Sequence, residues 1–111
     1  MGACSFMTTG YGKDYKDAYN NLVKDYKRMY GENPYNGTIS TTYGCSLTYC
    51  DLGKGDNWTK TKEGKAYQIA NKQLTTMEKG QCRAIDLGKV SNRITHHNGW
   101  HKFLFFGWAA E

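Results

Sequence analysis

Proline is almost missing from this chain, with one among 111 residues, and no stretch approaches the roughly 20 consecutive apolar residues that carry a helix across a bilayer. A transmembrane helix is thereby excluded, and no repeat or low-complexity tract is present. The opening MGACSFMTT lacks a basic start, an apolar core and a small-residue cleavage site, so no secretory signal is read and the protein is expected to stay in the cytoplasm where it is made. Met1-Gly2 opens a myristoylation pattern, MGxxx[ST], that Phe6 breaks. GxxxxGK[ST], GxGxxG, a nucleophile-elbow motif and paired carboxylates are all missing.

Four cysteines are present, Cys4, Cys45, Cys50 and Cys82. Without export they are expected to be reduced thiols serving as small apolar residues. A chain of this length fits one domain and buries roughly two-thirds of its unfolded surface on folding. Nine tyrosines, four phenylalanines and three tryptophans supply apolar area, and a net charge of +5 favours contact with something anionic.

The clearest pattern lies near the start. Tyr15, Ala18, Tyr19, Leu22, Val23, Tyr26, Met29 and Tyr30 recur at spacings of three and four, which predicts an amphipathic helix of about 17 residues. Asp14 is placed to cap it, Lys24, Lys27 and Arg28 suit its C-terminal dipole, and Gly31 ends it. A strand over residues 3–9 precedes it. Beyond it, TISTTY, with Ile39, Thr41 and Tyr43 on one face, and CSLTYCDL are predicted strands. GKGDNWTKTKEGK, residues 53–65, reads as a surface loop and Lys65–Thr75 as a second helix with Ala66, Ile69, Ala70 and Leu74 inward. QCRAIDLG reads as a further strand, closed by Gly88.

In ITHHNGWHKF, Asn98-Gly99 suits a two-residue type I′ turn between β-compatible runs. That register sets His97 opposite Trp100, His96 opposite His101 and Ile94 opposite Phe103. One face then carries Val90, Ile94, His96, His101, Phe103 and Phe105. The other carries Arg93, His97, Trp100, Lys102, Leu104, Phe106 and Trp108, with an accessible tip and a packed base. Both faces of the last strand are apolar beyond Lys102, so a second copy of the chain is expected to cover one of them if the domain itself does not.

The order helix, YGxxxYNGTIS, helix, CRAIDLG, FFGWA resembles a family of small uncharacterised bacteriophage proteins. These carry an alanine-rich helix ending in YG, a GYTGTI motif, a second helix, a glycine-cysteine strand and a final FFGWA. The resemblance implies an accessory phage product acting in the host bacterial cytoplasm against host defence. It supplies no catalytic residue.

For metal, Cys45 and Cys50 stand four residues apart with no second compact pair, and His96 facing His101 gives only two ligands. For catalysis, no Ser, Cys or Thr is placed by spacing beside a base and its orienting group. TTGYGK joins the first strand to the first helix, where Gly10 and Gly12 permit close approach of an anion and Lys13 adds charge, although Asp14 competes for the same helix start. On the first helix, lysines and Arg28 alternate with Asp14, Asp17 and Asp25, a mixed face rather than a basic stripe.

The expected fold is one α+β domain over residues 1–111: a mostly antiparallel sheet, one long amphipathic helix, a shorter second helix and a C-terminal Asn-Gly hairpin. The expected function is non-enzymatic: inhibition of a bacterial immune pathway by sequestering a small anionic nucleotide signal, with no cofactor, metal or membrane. Trp100 would stack the base. Arg93, His97, Lys102, Lys54 and Lys13 would complete the ligand site. An anti-CRISPR-like inhibitor that binds a host defence protein is the alternative, and a basic nucleic-acid-binding accessory protein a further one.

Overall fold

The computed structural model describes residues 2–31, 38–53 and 57–110, and in it the tyrosine-lined helix stands with the caps its sequence predicts. α1 spans Tyr15–Tyr30. The Asp14 carboxylate accepts from Asp17 N–H at 2.8 Å, and the Asp17 carboxylate in turn accepts from Lys13 N–H at 3.0 Å, a reciprocal arrangement like a capping box. Gly31, at φ 74°, ends the helix by donating its N–H to Lys27 O. α1 folds back on β1, Ala3–Gly12. The approach is close because a Cβ on Gly12 would sit 2.5 Å from Ala18 N, and one on Gly10 2.7 Å from Leu22 Cδ1.

Four strands form one sheet in the order β1-β4-β3-β2, with β2 at Ser46–Leu47, β3 at Cys82–Lys89 and β4 at His101–Ala110. β4 pairs antiparallel with β1 from Ala3↔Ala110 to Gly12↔His101 and antiparallel with β3 on its other side. β2 contributes two parallel pairs to β3. The fold is therefore α+β with a mostly antiparallel sheet.

Strand alternation sends Phe103 and Phe105 to one face and Leu104 and Phe106 to the other, all buried. Phe103 and Phe105 pack with Ala18 of α1, with Ile39, and with Cys82 and Ala84. Leu104 and Phe106 pack with Ile85, Leu87 and α2, Lys60–Leu74, through Ala66, Ala70 and Leu74. The small alanines let α2 lie close. Trp108 Nε1 donates to Leu74 O at 2.8 Å, satisfying a carbonyl at the helix end. α2 thus supplies the second cover for β4, and the ground for expecting a second copy there falls away. None of the described helices is long and apolar enough to cross a membrane.

Three expectations are corrected. Asn98-Gly99 does turn, with Gly99 at φ 79°, but residues Asn92–Thr95 form a short helix, α3, so β4 pairs with β3 and β1 and the hairpin expected across this turn is not formed. Asp86 faces Phe103 and Lys89 faces His101. CRAIDLG offers β4 the buried Cys82, Ala84, Ile85 and Leu87, whereas SNRITHH offers only Ile94, which stays exposed; burial outweighs the turn preference. TISTTY is a 3-10 turn at Ile39–Thr41 rather than a strand. Its hydroxyls bond local backbone, Thr41 Oγ1 to Thr38 O and Thr42 Oγ1 to Ile39 O, in competition with a ladder. α2 begins five residues before the predicted Lys65, because Thr59 Oγ1 caps it by accepting from Lys62 N–H at 3.2 Å.

Candidate functional site

β1 is an edge strand. Asn21 Nδ2 donates to Tyr11 O at 3.3 Å, so that carbonyl points away from β4. The two-residue alternation of an antiparallel ladder then turns the backbone of Ser5, Met7 and Thr9 outward as well. Between this edge and α1 lies an open cleft of about 490 Å³, floored by Thr9, Gly10 and Tyr11, walled by Asn21, Lys24, Asp25 and Arg28, and reached at one end by Trp100. Asn21, Lys24, Asp25 and Arg28 follow a spacing of three, one and three, which gathers them on one side of α1. The Trp100 ring is half-buried and stacks on His97, with centroids 3.9 Å apart and planes 11° from parallel. Trp100 O accepts from Val90 N–H at 3.0 Å, fixing the backbone that presents the ring.

Of the described residues predicted for the ligand site, only His97 and Trp100 come together, and they do so within the turn rather than across a hairpin. Lys102 projects to the α2 face. Its Nζ lies 3.0 Å from Glu63 Oε1 and 4.4 Å from the Trp58 ring centroid, largely shielded from solvent, so its charge is already engaged. Arg93 is exposed on α3, and Lys13 is exposed at the β1–α1 turn, where its N–H is held by Asp17. Lys54 lies outside the described residues. Gly10 and Gly12 make room for α1 itself, not for a phosphate. Lys24 and Arg28, which do line the cleft, read in the sequence as helix-end and solvated charges; their spacing with Asn21 is the signal that groups them.

A second cleft, of about 310 Å³, opens at the far end of β3 between Cys50 and Asp86. His101 Nδ1 lies 3.0 Å from Asp86 Oδ1, and the same oxygen accepts from Gly88 N–H at 2.8 Å across the bulge that leaves Leu87 as the extra residue. Burial, then the neighbouring Asp51 charge, raises the Cys50 thiol above its ordinary range, which holds it protonated rather than as a nucleophilic thiolate. Among the described residues, no group of three or more His, Cys, Asp or Glu side chains is arranged to hold a metal ion.

No protein-family model, no curated protein and no solved structure matches this chain.

Proposed function

We propose that this protein is a non-enzymatic binding protein that sequesters a small anionic nucleotide in the cleft between α1 and the outer edge of β1. In the phage setting that the resemblance to small bacteriophage proteins implies, the consequence is removal of a signal from a bacterial immune pathway. One observation carries the reading: an aromatic ring already backed by a second ring, Trp100 on His97, shares a cleft of ligand size with Lys24 and Arg28. The ring offers a base a stacking surface, and the two cations offer phosphate charge-assisted hydrogen bonds. Asp25 in the same wall works against a highly charged ligand and favours one with few phosphates.

Calorimetric titration with mononucleotides and cyclic dinucleotides tests this. A bound nucleotide is recovered intact on denaturation. Trp100→Ala weakens binding by roughly 5- to 150-fold, from the 1–3 kcal/mol of a base–aromatic stack, with the far-UV spectrum unchanged. Arg28→Gln weakens it by a comparable factor. Failure of every nucleotide to bind sinks the proposal, a chemically altered ligand points to an enzyme, and binding of long nucleic acid that falls steeply with salt points to a nucleic-acid protein.

The second reading, direct inhibition of a host defence protein, draws on Tyr43 and Tyr49, each 88% exposed. Exposed tyrosines are usual anchors of protein interfaces. Under it, a defence protein co-purifies and the Tyr43→Ala, Tyr49→Ala double variant releases it.

A further inference from the structure

β2 is held to β3 by only two parallel pairs, Ser46↔Arg83 and Leu47↔Ala84. The residues just before them, Cys45 and Cys82, therefore stand side by side where the two strands begin. Adjacent strands lie about 4.8 Å apart, within the range of Cα separations that a disulfide spans. The side chains use that proximity: Cys82 Sγ lies 3.5 Å from Cys45 Sγ. Cys82 is buried and Cys45 half-exposed, and both line an open cleft of about 450 Å³ with Gly44, Gly80 and Gln81. The segment carrying Cys45 is fixed on either side of it. Tyr43 N–H donates to Gly80 O at 3.0 Å, Gly44 N–H to the Tyr19 hydroxyl at 3.1 Å, and Thr48 N–H to Ala84 O at 2.7 Å. The sulfurs are thus held together by backbone bonds to neighbouring residues.

We propose that Cys45 and Cys82 form a redox-active dithiol site, which a low-molecular-weight disulfide of the glutathione type oxidises to an intramolecular disulfide and free thiols reduce again. The steps balance. The Cys45 thiolate attacks one sulfur of the small disulfide, forming a mixed disulfide and releasing one thiolate. Cys82, losing its proton, attacks the Cys45 sulfur, closes the Cys45–Cys82 bond and releases the second thiolate. The two protein thiols together lose two electrons and the small disulfide gains them.

The order of attack follows from the environment. The Cys82 thiol is held far above its ordinary range, first by its hydrogen bond to Cys45 Sγ, then by burial, then by the Cys45 charge. The half-exposed Cys45 is therefore the group that meets the oxidant. Once its sulfur is tied into the mixed disulfide, the first and third of those causes are gone and Cys82 is freer to ionise. Closure draws the sulfurs from 3.5 Å to about 2.05 Å, a movement within reach of side-chain rotation and a slight strand adjustment. The bond staples the 3-10 turn and β2 to the sheet.

The test uses the intact chain in buffers of graded oxidised and reduced glutathione, with free thiols then alkylated and peptides mapped without reduction. The expected result is one linked pair, the Cys45 peptide with the Cys82 peptide, cleared by dithiothreitol, while Cys4 and Cys50 stay alkylatable. Oxidation also raises the thermal midpoint by several degrees. Cys82→Ala is expected to accumulate the mixed disulfide on Cys45, and Cys45→Ala to form no intramolecular link. The proposal is overturned if the folded, unmutated protein forms no Cys45–Cys82 link at any ratio, or forms it only in denaturant. Either result is read without a variant, so an unstable Cys82→Ala leaves the decision intact. Nucleotide binding plays no part in it.

Discussion

The two edges of the sheet are held in opposite ways. β1 meets β4 along ten consecutive residue pairs with no bulge. β2 meets β3 along two, and beyond single backbone bonds at Tyr43 and Thr48 its neighbourhood is held by side chains: the Tyr19 hydroxyl on Thr42 and Gly44, Thr41 Oγ1 accepting from Ala110 N–H at 2.9 Å, and the buried Ile39. A ladder distributes its stabilisation over many weak backbone bonds and tolerates the loss of a side chain. A pinned edge depends on a few groups, each of which can be removed, ionised or oxidised.

Substitutions separate the two regimes. Phe105→Ala removes a ring that lies on β4 between Thr8 of β1 and Ala84 of β3, and should cost about 4 kcal/mol in a urea melt, weakening both edges together. Gly12→Ala should cost about 3 kcal/mol, because its Cβ meets the Ala18 backbone rather than a movable side chain. A markedly smaller loss there would mean that α1 rides on β1 more loosely than the ladder suggests. Tyr19→Phe should cost about 1 kcal/mol by deleting the hydroxyl's bonds. Its effect on amide exchange should be confined to residues 38–47, leaving β1 protected. Asn21→Ala, at the outer side of the ladder, should cost roughly 0.5 kcal/mol and leave β1–β4 exchange unchanged.

Alkaline titration sharpens the same contrast. Burial, ahead of the other causes, raises Tyr19 above its ordinary 10.0. Folding keeps the phenol protonated, so between the unfolded and folded values the native state binds more protons and stability falls as pH rises. The loss should begin near pH 10.0, where an unfolded tyrosine starts to ionise. It should be smaller in Tyr19→Phe and should open the β2 edge before the β1 edge. Chemical denaturation at several alkaline pH values measures it.

What the sequence made legible follows the same division. The periodicity of α1, its Asp14 and Gly31 ends, the alternation of β4 and the CRAIDLG strand are repeated or end-marked signals, and each lies where expected. The partner of β4 is not legible, because a two-residue turn signal competes with burial that only the choice of partner strand decides. The threonines after Ile39 have high strand propensity, yet their hydroxyls close a 3-10 turn, and the pattern alone does not distinguish the two outcomes. In the candidate site, the adjacency of Trp100 and His97 is legible because they flank one turn. Lys102 pairs with Glu63, which the sequence pattern places in a loop rather than on α2, and Lys24 and Arg28 line the cleft only because α1 lies over the outer edge of β1, a position no local pattern encodes.

The pairing of β1 with β4 also bears on synthesis. β1 is made well before the strand it pairs with, yet the two line up along their whole length, from Ala3 against Ala110 to Gly12 against His101. At roughly 5–20 residues per second, β1 waits several seconds or more for its neighbour. Until β4 arrives, β1 and β3 have no strand between them and neither α1 nor α2 has its share of Phe103–Phe106 to cover. Stalled chains lacking the FLFFGW segment should therefore remain protease-sensitive throughout, whereas extending the chain past β4 should protect β1 and β3 in a single step.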